Sequence, residues 1–180
     1  MIIGITGHLG SGKTEVAGIL IEHGFVRQRF AQPLKDMLRA VGIGADYLDG
    51  ALKEEPCPLL GGASARHAMQ TLGTEWGRNL IHPDLWILIW RARVKECSLV
   101  VVDDVRFPNE AEAILSLGGA IWRVSRPGCD GNGHISESYV DRLSVSQEIL
   151  NNGTTDWLRR QVDVIVREFV WKGTDEQVGS

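Results

Sequence analysis

Gly7-His8-Leu9-Gly10-Ser11-Gly12-Lys13-Thr14 has the spacing G-x-x-x-x-G-K-T, directly behind the apolar run Ile2-Ile3-Gly4-Ile5 and directly ahead of a helix-forming stretch from Glu15 to Glu22. Strand, glycine loop and helix in that order confine the chain to a narrow set of folds. Ile2 to Thr6 is apolar on both faces and reads as a buried parallel strand. Three glycines let the loop backbone curl with its N–H groups turned inward. Those donors, together with the positive end of the following helix, suit a chain of phosphates. Lys13 brings a mobile positive charge to the outer phosphates, and Thr14 offers a hydroxyl to Mg²⁺. The expected nucleotide contacts are therefore Gly7, Gly10, Ser11, Gly12, Lys13 and Thr14.

The rest of the chain narrows the setting. At 180 residues, 43% of them hydrophobic, it suits one domain (1–180) with a real core. A net charge of −4 provides no broad basic surface for polymeric nucleic acid. Cys57, Cys97 and Cys129 form neither a disulfide framework nor a Cys-x-x-Cys metal signature, as expected of a reducing compartment. The first strand starts at once, which leaves no room for a signal peptide, and no apolar run reaches the roughly 18 residues of a membrane span. A cytoplasmic protein, monomer or homodimer, working on small molecules is the expectation.

Beyond the glycine loop, the pattern predicts strands at Phe25 to Phe30, Ser98 to Val102, Ala120 to Val124 and Val145 to Leu150. Helices are predicted over Lys13 to His23, Leu34 to Val41, Ser64 to Ile81, Asp84 to Lys95, Asn109 to Leu117 and Thr155 to Phe169, with Leu85, Leu88 and Ile89 facing inward on the fourth. Pro33 marks a turn. Residues 42–62 read as an irregular, mobile excursion outside the core. Strands alternating with helices imply a mainly parallel five-stranded sheet with helices on both faces and the first strand central: a three-layer α/β P-loop fold. Two excursions interrupt it, an insertion at about 42–82 and a lid at about 126–144. Ligands are expected at the carboxyl ends of the strands.

The remaining candidates lie beyond strand ends or in those excursions. Leu99 to Asp104 has the form of a buried strand that delivers a carboxylate to Mg²⁺. Alternation turns Asp103 and Asp104 to opposite faces, and spacing does not say which one serves the metal. Arg106 follows, and its planar fork suits phosphate oxygens, unless it pairs with Glu110 or Glu112. Arg66 and Arg78 suit either a clamp on a second phosphate-bearing molecule or a solvated helix face. Arg123, Arg126, His134, Glu137 and Arg142 gather around the second excursion, which reads as a water-excluding lid or as an ordinary exposed loop. Asn151-Asn152-Gly153 is a turn, with a base contact as a further role.

Several strings together resemble the bacteriophage-type deoxynucleoside monophosphate kinases, within the P-loop nucleoside monophosphate kinase superfamily. They are Gly7 to Thr14, Phe30-Ala31-Gln32-Pro33-Leu34-Lys35, Leu72 to Arg78, Asp104-Val105-Arg106-Phe107-Pro108-Asn109-Glu110, Arg126-Pro127-Gly128, His134-Ile135-Ser136-Glu137 and Asn151 to Thr154. Gln32 departs from the family string, which usually carries Asp there. The resemblance implies transfer of the γ-phosphate of ATP to a deoxynucleoside monophosphate. It implies Lys13 and Thr14 on ATP and Mg²⁺, Asp104 as the metal-side acid, and Arg106 and Arg78 at the acceptor with Lys35 and Arg66. Arg126 would stand at the start of the lid and, with Lys13 and Arg106, act on the moving phosphoryl group. Asn152 is the candidate at the donor base, and Gln70 and Trp76 are candidates for acceptor-base choice.

A monophosphate acceptor needs no general base, because its second pKa lies near 6. Two rival readings remain. One is a P-loop kinase with a hydroxyl acceptor, resembling dephospho-coenzyme A kinase, in which Asp36 or Asp104 would act as base. The other is a nucleotide switch or assembly ATPase without a small acceptor.

Overall fold

A strand of Ile2–Thr6 (β1) lies at the middle of a five-stranded, wholly parallel sheet of order β2-β3-β1-β4-β5. In a computed structural model that describes residues 1–129 and 139–175, β1 pairs on one side with β3 (Val100–Val102) and on the other with β4 (Ala120–Ser125). Ile3 sits opposite Val101, and Ile5 opposite Trp122. The outer strands are β2 (Val26–Arg27) beside β3 and β5 (Gln147–Leu150) beside β4. The chain moves from β1 to β2 and β3 on one side, then crosses to β4 and β5 on the other. The loop after β1 therefore opens where strand order reverses, the place where such sheets hold ligands.

Helix α1 (Lys13–Glu22) and α7 (Thr155–Asp175) cover one face. Their buried residues Val16, Ala17, Leu20, Leu158 and Val162 pack on Ile3, Ile5, Val101, Trp122 and Ile149. Helix α6 (Pro108–Leu115) covers the other face. It comes close because Gly4 has no side chain: a Cβ there would lie 2.7 Å from Cδ1 of Ile114. This is the expected three-layer arrangement with a central first strand.

The chain divides into two compact units, residues 1–28 with 96–180, and residues 29–95. The second unit contains α2 (Gln32–Ala40), α3 (Ala45–Leu48), α4 (Ala65–Gln70) and α5 (Leu85–Val94). Between α4 and α5 the helix continues as a wide π-helical stretch, Thr71–Ile81. Ser64 caps α4, its Oγ accepting from the His67 N–H at 3.2 Å.

Four expectations need correction. The second strand is two residues long, because β2 is an edge strand and only Val26 and Arg27 pair with β3. Pro33 lies inside the first turn of α2, where its missing N–H costs nothing. Residues 42–62 are not an excursion without a core: Ile43, Leu48 and Cys57 are buried with Leu38 and Ala65. Helix α5 turns Trp86, Ile87, Trp90 and Val94 inward and leaves Leu88 53% exposed. Its run Leu85 to Trp90 is apolar all round, so period cannot select a face. Specific fits select it instead. Nε1 of Trp86 donates to the Gly73 carbonyl at 2.8 Å, and its ring lies where a Gly77 Cβ would be, 2.4 Å from Cζ2.

Candidate active site

The loop between β1 and α1 can only be built from glycine at its turning points. Gly7, Gly10 and Gly12 have φ of 147°, 81° and 102°, in the region L side chains avoid. Space is closed as well. A Cβ on Gly7 would lie 2.3 Å from the Val124 carbonyl oxygen, and one on Gly12 2.3 Å from Nδ2 of Asn151. The loop is thus pressed against the carboxyl ends of β4 and β5. Lys13 folds its ammonium back into the curl, donating to the carbonyls of Gly7 and His8, each at 2.7 Å. Ser11 is 1% exposed, and its Oγ, like the buried Oγ1 of Thr6, meets no hydrogen-bond partner among the described residues. A buried hydroxyl without a partner is costly, and a bound phosphate oxygen would satisfy it. Thr14 is exposed at the start of α1. These residues fit a nucleotide's phosphates.

The end of β3 separates the two acids. Asp103 is buried and faces Arg27 of β2, with Nε 3.7 Å from Oδ2. Asp104 is half-buried. Glu110 serves the backbone beside Arg106. The Glu110 carboxylate, 3% exposed, accepts from the backbone N–H groups of Arg106 at 2.9 Å and Phe107 at 3.1 Å. Glu110 therefore shapes the turn that presents Arg106 and caps α6, a role foreshadowed by Pro108 and Glu110 at the first and third helical positions.

Beside the loop, at the end of β4, lies a cavity of about 260 Å³ whose walls include Gly7, His8, Ser125, Arg126 and Cys129. Arg126 is exposed at its edge. Arg123, grouped by sequence with the lid, is a clasp: its Nη2 donates to the carbonyls of Val140, Asp141 and Leu143 at 3.0, 3.2 and 2.8 Å. His8 meets Asp141 of the same turn, Nε2 to Oδ1 at 3.0 Å. Arg142 is exposed. His134 and Glu137 lie outside the described residues. Asn152 is exposed in the turn after β5, whereas its neighbour Asn151 reaches the glycine loop, Nδ2 donating to the Ser11 carbonyl at 2.9 Å. Sequence reading picks the turn but not which asparagine touches the loop.

The second unit holds the other cations. Lys35 is 7% exposed and its ammonium bonds the Asp49 carboxylate. Arg39 joins the same carboxylate at 2.8 Å, and Arg29 stands 3.8 Å away. Burial alone would raise the Asp49 pKa; the Lys35 hydrogen bond and the charges of Lys35, Arg39 and Arg29 outweigh it and hold the carboxyl below its ordinary range. Asp36 behaves likewise: burial pushes it up, while bonds from Gln32 and Arg93 and the charges of Arg93 and Arg39 bring it below. Gln32 thus serves Asp36, donating at 2.7 Å. Arg66 bonds Glu54, and Nη1 of Arg78 lies 3.5 Å from the Pro83 carbonyl, so the two arginines rest on different partners. Gln70 is exposed, as is Trp76.

Among the described residues, no group of three or more His, Cys, Asp or Glu side chains could hold a metal, and no helix is long and apolar enough to cross a membrane.

No protein-family model matches the chain. Over 53 residues, 28% of this chain and 21% of the other, it is 40% identical to the deoxynucleoside-5'-monophosphate kinase of Escherichia phage T5. A solved structure, TT1252 from Thermus thermophilus, is similar at a TM-score of 0.49 and 18% identity, covering 93% of this chain and 97% of that one. Over 173 residues, 86% of this chain and 90% of the other, the sequence is 31% identical to a protein of Acanthamoeba polyphaga mimivirus named, provisionally, as a deoxynucleotide monophosphate kinase. A match of that length and identity makes the chain a member of the deoxynucleotide monophosphate kinase family, and so a phosphotransferase.

Proposed function

We propose that this chain transfers the γ-phosphate of ATP, carried with Mg²⁺, to the phosphate of a deoxynucleoside monophosphate. An oxygen of the acceptor phosphate attacks the γ-phosphorus. The bond to the bridging oxygen of ADP breaks, and ADP and a deoxynucleoside diphosphate leave. The observation that carries the reading is the glycine loop, which is closed to side chains at Gly7 and Gly12 and holds the Lys13 ammonium inside its curl.

In this reading the loop amides and Lys13 hold the donor phosphates. The Thr14 hydroxyl and the Asp104 carboxylate serve Mg²⁺, since Asp103 is turned to Arg27. Asn152 serves the donor base. Arg106 and Arg126 neutralise charge that spreads over the moving phosphoryl group, the chief catalytic demand in such transfers. Lys35, Arg66 and Arg78 are assigned to the acceptor, as is Arg106, and Gln70 to its base. No general base is required, because the acceptor oxygen is largely ionised at neutral pH. The reaction belongs in a cytoplasm, where ATP and monophosphates are dissolved.

The test is to incubate the protein with Mg-ATP and each deoxynucleoside monophosphate in turn and separate the nucleotides by anion exchange. ADP and the matching diphosphate should form in equal amounts. ADP with inorganic phosphate, and no diphosphate from any acceptor, would mean an ATPase instead.

A further inference from the structure

We propose that Asn151 is a positioning residue: its side-chain amide sets the shape of the phosphate-holding loop, and so governs affinity for the phosphate chain of the donor whatever base it carries. The inference rests on the kinase reading of that loop. Three contacts carry it. Nδ2 of Asn151 donates to the Ser11 carbonyl at 2.9 Å, across 140 positions of sequence. The same nitrogen occupies the space a Gly12 Cβ would fill, 2.3 Å from it. The Asn151 backbone N–H donates to the Ser125 carbonyl at 2.8 Å, which ties the residue to the end of β4.

The support behind Asn151 is itself held. Nε2 of Gln161 on α7 donates to the Leu150 carbonyl at 3.0 Å, one residue before Asn151. The amide thus acts from a braced strand end upon a loop with no side chains of its own at Gly10 and Gly12. Turning the Ser11 carbonyl toward Asn151 commits one side of the peptide plane between Ser11 and Gly12. The N–H of Gly12, on the opposite side of that trans peptide, is then directed away from Asn151. Only a donor can play this part. An acceptor at the same place would face the Ser11 carbonyl oxygen and reverse the interaction.

Asn151→Asp keeps the shape and removes the donor, and it adds a negative charge beside the phosphate cradle. Asn151→Ala removes the contact without adding charge. Affinities for ATP and for inorganic tripolyphosphate are measured by displacement of a fluorescent ATP analogue, at a temperature where circular dichroism shows each variant folded. We expect Asn151→Asp to weaken both ligands by a similar factor, about tenfold or more, and Asn151→Ala to weaken both by less. Loss of ATP affinity with tripolyphosphate unaffected would overturn the inference, because the residue would then act through the base. Unchanged affinity for both ligands in both variants would overturn it as well, leaving a packing role alone. A wild-type protein that binds neither ligand would overturn the kinase reading and the inference with it, an outcome distinct from the other two.

Discussion

Lys13 and the two arginines Arg106 and Arg78 stand in different surroundings, and each gives a separate expectation. The Lys13 ammonium is held 2.7 Å from two loop carbonyls, a position from which a small movement meets a phosphate. Lys13→Ala should lower turnover by about a hundredfold or more, with the thermal midpoint little changed. Near-wild-type turnover in a steady-state assay would show that the loop does no catalytic work. Arg106 and Arg78 are assigned to the acceptor, so Arg106→Ala and Arg78→Ala should raise KM for the monophosphate more than KM for ATP. An equal rise in both would remove that assignment. At this scale the glycine loop is fully legible in sequence, because its φ angles demand glycine and its spacing is fixed. Asn151 is not, because Asn-Asn-Gly is a good turn former and nothing local distinguishes the two amides. The bond that does so spans most of the chain. Sequence offers Glu110 as a partner for the Arg106 side chain; that its buried carboxylate accepts from the backbone N–H groups of Arg106 and Phe107 depends on the fold and is not legible from spacing.

Among the elements, the π-helical stretch Thr71–Ile81 and α5 form one packed pair. Gly73 supplies a carbonyl to the Trp86 indole, and Gly77 supplies room for its ring. Gly77→Ala should destabilise the protein by about 1–3 kcal/mol, read as a shift of the urea midpoint, because a Cβ has no space against Trp86. No shift would show that the indole can move aside. Sequence predicts a helix from Ser64 to Ile81, but a widened helix with a tryptophan against it depends on a neighbour that periodicity cannot see. The Lys35, Arg39 and Asp49 cluster gives a pH expectation. Asp49 has its folded pKa below the unfolded value, about 3.9, so it binds fewer protons when folded. Its stabilisation is complete above the unfolded pKa and is lost as pH falls through the folded one. Asp49→Asn should therefore be less stable than wild type at neutral pH. The gap should close as pH is lowered from about 5 toward 2 in urea titrations. Parallel curves would mean that Asp49 does not stabilise the fold through its charge.

For the whole molecule, the parallel sheet with β1 at its centre follows from apolar strands alternating with helices, and sequence carries that far. It carries less of residues 29–95. Short elements such as Ala45–Leu48 leave no period to read, yet Ile43, Leu48 and Cys57 gather into a core of their own. Their burial is decided by contacts with Leu38 and Ala65, which lie on separate helices. Function follows the same division. The glycine loop announces itself, whereas cations such as Lys35, Arg66 and Arg78 look alike in sequence whether they bind substrate or a partner within the same chain. The central claim is phosphoryl transfer between two nucleotides. The most direct measurement follows the label from γ-³²P-ATP through a single turnover with a deoxynucleoside monophosphate and Mg²⁺. All of the transferred label should appear in the β-phosphate of the deoxynucleoside diphosphate; label released as inorganic phosphate while the monophosphate stays unchanged would contradict the account.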